Sequence, residues 1–80
     1  MTWEKALALK LTYARRSLGY SQSELARKCG LHPSAIAHFE ASRRVPSLKN
    51  FQRLCDATET DPRSMLPVLD GPNRKGSEGQ

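Results

Sequence analysis

Aromatic side chains are scarce in this sequence, with one Trp, two Tyr and two Phe among 80 residues. A chain of that length buries only a modest core, so a second domain or a deep substrate cavity is not expected. Cysteine is scarcer still: Cys29 and Cys55 stand apart, outside any Cys-x-x-Cys pair and without a His at metal-ligand spacing. Both fall at apolar-face positions and read as small reduced core residues rather than a disulfide. No run approaches the roughly 18 apolar residues of a membrane span. The N-terminus also lacks the charged region, apolar block and cleavage site of a secretory signal. A reducing, cytoplasmic setting is the expectation. Strand-type alternation and internal repeats are absent as well, which leaves helical patterning as the organising signal.

Acidic residues are missing where basic ones gather. Between Lys10 and Arg53 there are nine Lys/Arg against two carboxylates, Glu24 and Glu40, a net of +7 in a chain whose formal charge is +5. A polyanionic partner fits this asymmetry, and so does a merely solvated basic surface.

Leu7, Leu11, Ala14 and Leu18 recur at helical spacing before Gly19, which predicts an amphipathic helix over about 3–18. Ser21 with Glu24 three residues on forms a capping box for a second helix, its inner face Leu25, Ala26 and Cys29, ending at Gly30. Pro33 suits the first turn of a third helix because its missing N–H has no intrahelical partner there, and Ile36 and Phe39 give the inner face up to about Ala41. Ser47 caps a fourth helix whose apolar stripe is Leu48, Phe51, Leu54 and Cys55, with Ala57 near its end. Asp61-Pro62 opens a fifth that carries Met65, Leu66 and Leu69, with Pro67 ending it early. The predicted fold is all-α, a five-helix bundle over 1–69. Residues 70–80 are read as a disordered polar tail, or as a linker, because they offer almost nothing apolar to bury.

The tight corner between the second and third helices has its own logic. Two helices joined by so short a turn need a small residue at their crossing, a residue that accepts positive φ in the turn, and an aliphatic wedge on the second helix. Ala26, Gly30 and Ile36 supply these in order. Together with Arg15, Gly19, the run SQSELARKCG, Glu40 and the VPS at 45–47, they resemble the lambda-repressor/Cro-like, xenobiotic-response-element type of helix-turn-helix domain. The resemblance covers about residues 7–66. It implies a five-helix bundle that lays its third helix in the DNA major groove and binds a double-stranded operator as a homodimer.

By that resemblance Gln22 binds a DNA phosphate, in keeping with the anion preference of a helix N-terminus. Arg15 and Glu40 resemble a pair that joins the first and third helices, a structural role. Side chains placed to reach base edges are His32 at the cap position, Pro33, Ser34, Ala37 and His38. The family commonly has Ser or Thr at the cap and Gln, Arg or Asn after it. Here His32 is expected to cap poorly, Pro33 and Ala37 can pack only on thymine methyls, and hydrogen bonding falls to Ser34, His38 and His32. Readout is thus expected to lean on methyl contacts, few hydrogen bonds and DNA shape. Arg43, Arg44, Lys49 and Asn50, in the following loop and helix turn, are assigned to phosphates.

No nucleophile, orienting acid or metal partner is spaced around either histidine, so neither an enzyme nor a cofactor or metal site is expected. The reading is a transcriptional regulator, a repressor or autoregulator. Val45, Val68 and Leu69 are candidates for a dimer surface. Two alternatives remain open: an antitoxin that also holds a protein toxin, and a helix-turn-helix module that binds proteins, such as polymerase, without reading DNA.

Overall fold

Every helix begins where a side chain accepts one of its unbonded N–H groups. In the computed structural model, which describes residues 2–67, these are α1 (Trp3–Ser17), α2 (Gln22–Cys29), α3 (Pro33–Glu40), α4 (Leu48–Ala57) and α5 (Pro62–Met65). Their caps are Thr2, Ser21, His32, Ser47 and Asp61. At α2 the capping box is complete: the Glu24 N–H donates to Ser21 Oγ at 3.0 Å and the Ser21 N–H donates to Glu24 Oε1 at 2.7 Å.

The first four helices also end alike. After each, one residue takes left-handed backbone: Gly19 (φ 75°), Gly30 (φ 71°), Ser42 (φ 62°) and Glu59 (φ 56°). The N–H of the next residue then reaches back five positions, from Tyr20 to Arg15, Leu31 to Ala26, Arg43 to His38 and Thr60 to Cys55, at 2.8–3.2 Å. A second bond runs from the left-handed residue itself to the carbonyl three positions back, which is the Schellman arrangement that satisfies orphan carbonyls. Helix length is therefore set at both ends by local chemistry.

The helices pack in a cycle: α2 on α3 and α4, α1 on α3 and α5, and α4 on α5. One core cluster joins Leu7, Leu11, Leu25, Ala26, Cys29, Ile36, Phe39, Phe51, Leu54, Cys55 and Met65. Both cysteines are buried and free, and burial holds both thiols above their ordinary pKa. No strand occurs among the described residues, and no helix there is long and apolar enough to cross a membrane.

Three expected core residues lie outside. Leu48 is 83 % exposed because the first turn of α4 extends past the core, which that helix enters only at Phe51. Leu18 sits at the α1 cap, where the chain is already leaving the helical face, and is 37 % exposed. Leu66 follows the last residue of α5 in extended backbone (ψ 129°) and turns outward. In their place Ala8 is buried, and Arg15 with it. Leu69, Val68 and the tail at 70–80 lie outside the described residues.

Candidate functional site

The third helix owes its placement to the corner before it. Ala26 and Ile36, fully buried, occupy the α2–α3 crossing, and Gly30 makes the left-handed turn. The far end of α3 is tied down by charge. Glu40 accepts from Arg15 through two parallel bonds, Nε to Oε2 at 2.6 Å and Nη2 to Oε1 at 2.9 Å, a fork geometry that fixes orientation as well as distance. Arg15 Nη1 donates to the Tyr20 carbonyl at 2.7 Å, so one guanidinium joins α1, the α1–α2 corner and the end of α3. The Glu40 hydrogen bond holds the guanidinium above its ordinary pKa, against the opposing effect of burial.

Gln22 enters the same network. Its Nε2 donates to Glu40 Oε1 at 3.0 Å, so the side chain assigned to a phosphate is, in the free protein, a strut between the start of α2 and the end of α3. That contact is invisible to local sequence reading, since 18 residues separate the partners.

With Ile36 and Phe39 turned inward, α3 presents Pro33, Ser34, Ala37 and His38 on its other side, Ser34 exposed and the others half-buried. His32 stands at the N-terminal edge of this face. Contrary to the expectation of a poor cap, its Nδ1 accepts the Ser34 N–H at 3.1 Å and lies 2.9 Å from Ser34 Oγ. Imidazole can cap here because Pro33 removes the first competing donor and leaves Ser34 as the first N–H to be satisfied. Ala35 N–H already bonds the His32 carbonyl at 2.9 Å.

Beyond α3, Arg43, Arg44 and Lys49 are exposed and Asn50 is half-buried. The ion pairs among the described residues are Arg15–Glu40 and Arg63–Asp61, so these three cations have no carboxylate partner there. Exposed cations that follow an outward helix face in the chain, without carboxylate partners among the described residues, are suited to neutralising an anionic rod. Val45, a candidate for self-association, is 49 % exposed in the same loop. A second apolar surface was not foreseen from sequence: Leu9 and Tyr13 on α1 are exposed beside a groove of about 480 Å³ walled by Thr58, Thr60, Ser64 and Met65. Its signal was present as an apolar i, i+4 pair off the main stripe.

Residues 11–64 match the family described as helix-turn-helix, HTH_3. No curated protein sequence matches the chain. Among solved structures, the restriction-modification controller protein C.AhdI from Aeromonas hydrophila is similar at 31% identity, over 78% of this chain and 94% of that one, with a TM-score of 0.75. The P22 c2 repressor, solved in complex with a synthetic operator, is 25% identical over 75% of this chain and 91% of its own, TM-score 0.72. Hydroxypropylphosphonic acid epoxidase from S. wedmorenis shares the fold alone, at 18% identity and TM-score 0.75, and this chain spans 44% of it.

Proposed function

Because the chain belongs to the helix-turn-helix family, of the lambda-repressor type, we propose that it is a transcriptional regulator that binds an operator in double-stranded DNA with α3 in the major groove. The observation that carries this reading is the union of a braced outward helix with the cations that follow it, which have no carboxylate partner among the described residues. His32, Ser34 and His38 reach base edges by hydrogen bonds, while Pro33 and Ala37 pack on thymine methyls. Arg43, Arg44, Lys49 and Asn50 hold phosphates, with Gln22 at the start of α2. Gln22 reaches a phosphate either by leaving Glu40 or through its own backbone N–H.

The chain acts as a homodimer, since one helix reads only a few base pairs and a two-fold pair reads two half-sites about one helical turn apart. Two solved relatives, a restriction-modification controller and a repressor in complex with a synthetic operator, support a regulatory role. The fold also occurs within an epoxidase, so the fold by itself is not the argument.

Selection of bound duplexes from a random DNA pool tests the proposal. A recovered palindrome with half-sites about ten base pairs apart is expected. Recovery of no common sequence would contradict it and favour a protein-binding module.

A further inference from the structure

The cap at His32 has a chemical consequence for what the start of α3 can read. A backbone N–H can only donate, so the His32 Nδ1 that receives the Ser34 N–H at 3.1 Å must carry its lone pair. The neutral ring then bears its proton on Nε2. Ser34 Oγ, 2.9 Å from the same Nδ1, is then the donor of that contact, and its own lone pairs stay available to accept on an exposed residue. At the first three positions of the helix no backbone donor is free: Pro33 has no N–H, the Ser34 N–H is held by the imidazole and the Ala35 N–H by the His32 carbonyl. Ile36, at the fourth, is fully buried. Recognition by this end of α3 therefore falls to side chains. Among the described residues Nε2 of the exposed His32 has no partner.

We propose that His32 and Ser34 form a locked pair of fixed hydrogen-bond direction. The His32 Nε2–H donates to N7 of a purine, and Ser34 Oγ accepts from an exocyclic amine, N6 of adenine or N4 of cytosine, on the same major-groove edge or the next. This rests on the proposed DNA binding and adds to it the identity of the atoms read. Purine N7 is the acceptor that both adenine and guanine present to that groove, so His32 selects purine over pyrimidine while Ser34 narrows the choice at its own contact.

His32→Asn separates reading from capping. Asparagine is a strong N-cap whose Oδ1 can take the Ser34 N–H, but its side chain ends short of the Nε2 position. The duplexes selected by the wild-type protein serve as probe, with each purine replaced singly by its 7-deaza analogue. Thermal denaturation runs in parallel. The expected result is an undiminished Tm for His32→Asn, an about tenfold weaker Kd for the selected duplex, and one 7-deaza position that costs the wild type about tenfold and the variant nothing. An unchanged Kd with an intact Tm would reduce His32 to a cap and overturn the inference while leaving DNA binding in place. A loss equal on all sequences, with no 7-deaza effect, would make the partner a phosphate and overturn it too. Wild-type protein that selects no sequence would overturn the inference and the proposed function together.

Discussion

Arg15 is the one charged residue buried among the described residues, and its side chain and that of Glu40 are 9% and 6% exposed. A buried pair of this kind costs desolvation of both ions, and removing one partner strands the other. Glu40→Ala is therefore expected to destabilise the domain by about 3 kcal/mol in urea denaturation, with Arg15 and Gln22 both losing their acceptor. Arg15→Met combined with Glu40→Leu should recover most of that loss, since no charge is then left unpaired. A double variant no better than Glu40→Ala would mean that the fork, not the stranded charge, sets the cost. Ser42 and Glu59 make the opposite case. Each occupies left-handed backbone that L side chains adopt at a cost, at the helix end where Gly19 and Gly30 serve elsewhere in the chain. Ser42→Gly is expected to raise stability by about 1 kcal/mol. Gly30→Ala should lower it by a similar amount on backbone grounds alone, because a Cβ there meets nothing within 4 Å. Chemical denaturation of the two variants checks both signs.

At the scale of the element, the helices were legible wherever their signals are local. Ser21 with Glu24, Gly19, Gly30 and Pro33 each act within a turn of themselves, and each stands in the structure where sequence placed it. The inner faces were legible only where a helix runs fully beside its neighbours. Leu48 and Leu66 have the right spacing, but α4 starts and α5 stops outside the core, a fact of tertiary arrangement that periodicity does not contain. The same limit hid the Gln22–Glu40 bond and the left-handed turn at Ser42, since serine carries no signal for positive φ. Sequence placed His32 at the cap but not its bond to the Ser34 N–H, because imidazole is an unusual cap and becomes one through the Pro33 and Ser34 that follow.

Capping also makes the elements respond to acid. The Ser21 backbone N–H, then its hydroxyl, hold the Glu24 carboxyl below its ordinary pKa, and the Arg63 backbone N–H does the same for Asp61. A carboxylate depressed in the folded state contributes stability that is fully present above its unfolded pKa and lost as pH falls through the folded one. Stability should thus decline from about pH 4.5 downward, and Glu24→Gln, which keeps an acceptor but cannot titrate, should make the decline shallower. Thermal melts between pH 7 and pH 3 would show it, and a slope identical to wild type would remove Glu24 from the account.

The whole molecule is a basic body with its charge unevenly spent. Arg15 is consumed internally by Glu40, while Arg43, Arg44 and Lys49, in the loop and helix turn after α3, have no carboxylate partner among the described residues. Cations of this sort act on DNA by releasing counterions, a sequence-independent contribution. Arg43→Ala and Arg44→Ala should weaken binding to every duplex alike, each reducing the slope of log Kd against log salt by about one. Loss confined to the selected site would instead mean that these arginines read bases. Family and fold were legible across most of the chain because the corner at Ala26, Gly30 and Ile36 imposes steric demands that few other residues meet. The bases that the proposal assigns to α3 were not, because they depend on hydrogen-bond directions set by atoms such as His32 Nδ1, which residue names alone do not specify.

The most direct test of the central claim is the ratio of Kd for a scrambled duplex to Kd for the selected duplex, measured at equal length and about 0.15 M salt. Sequence-specific recognition by α3 predicts a ratio of about a thousand or more. A ratio near one, with binding that competitor DNA abolishes at every sequence, would contradict it.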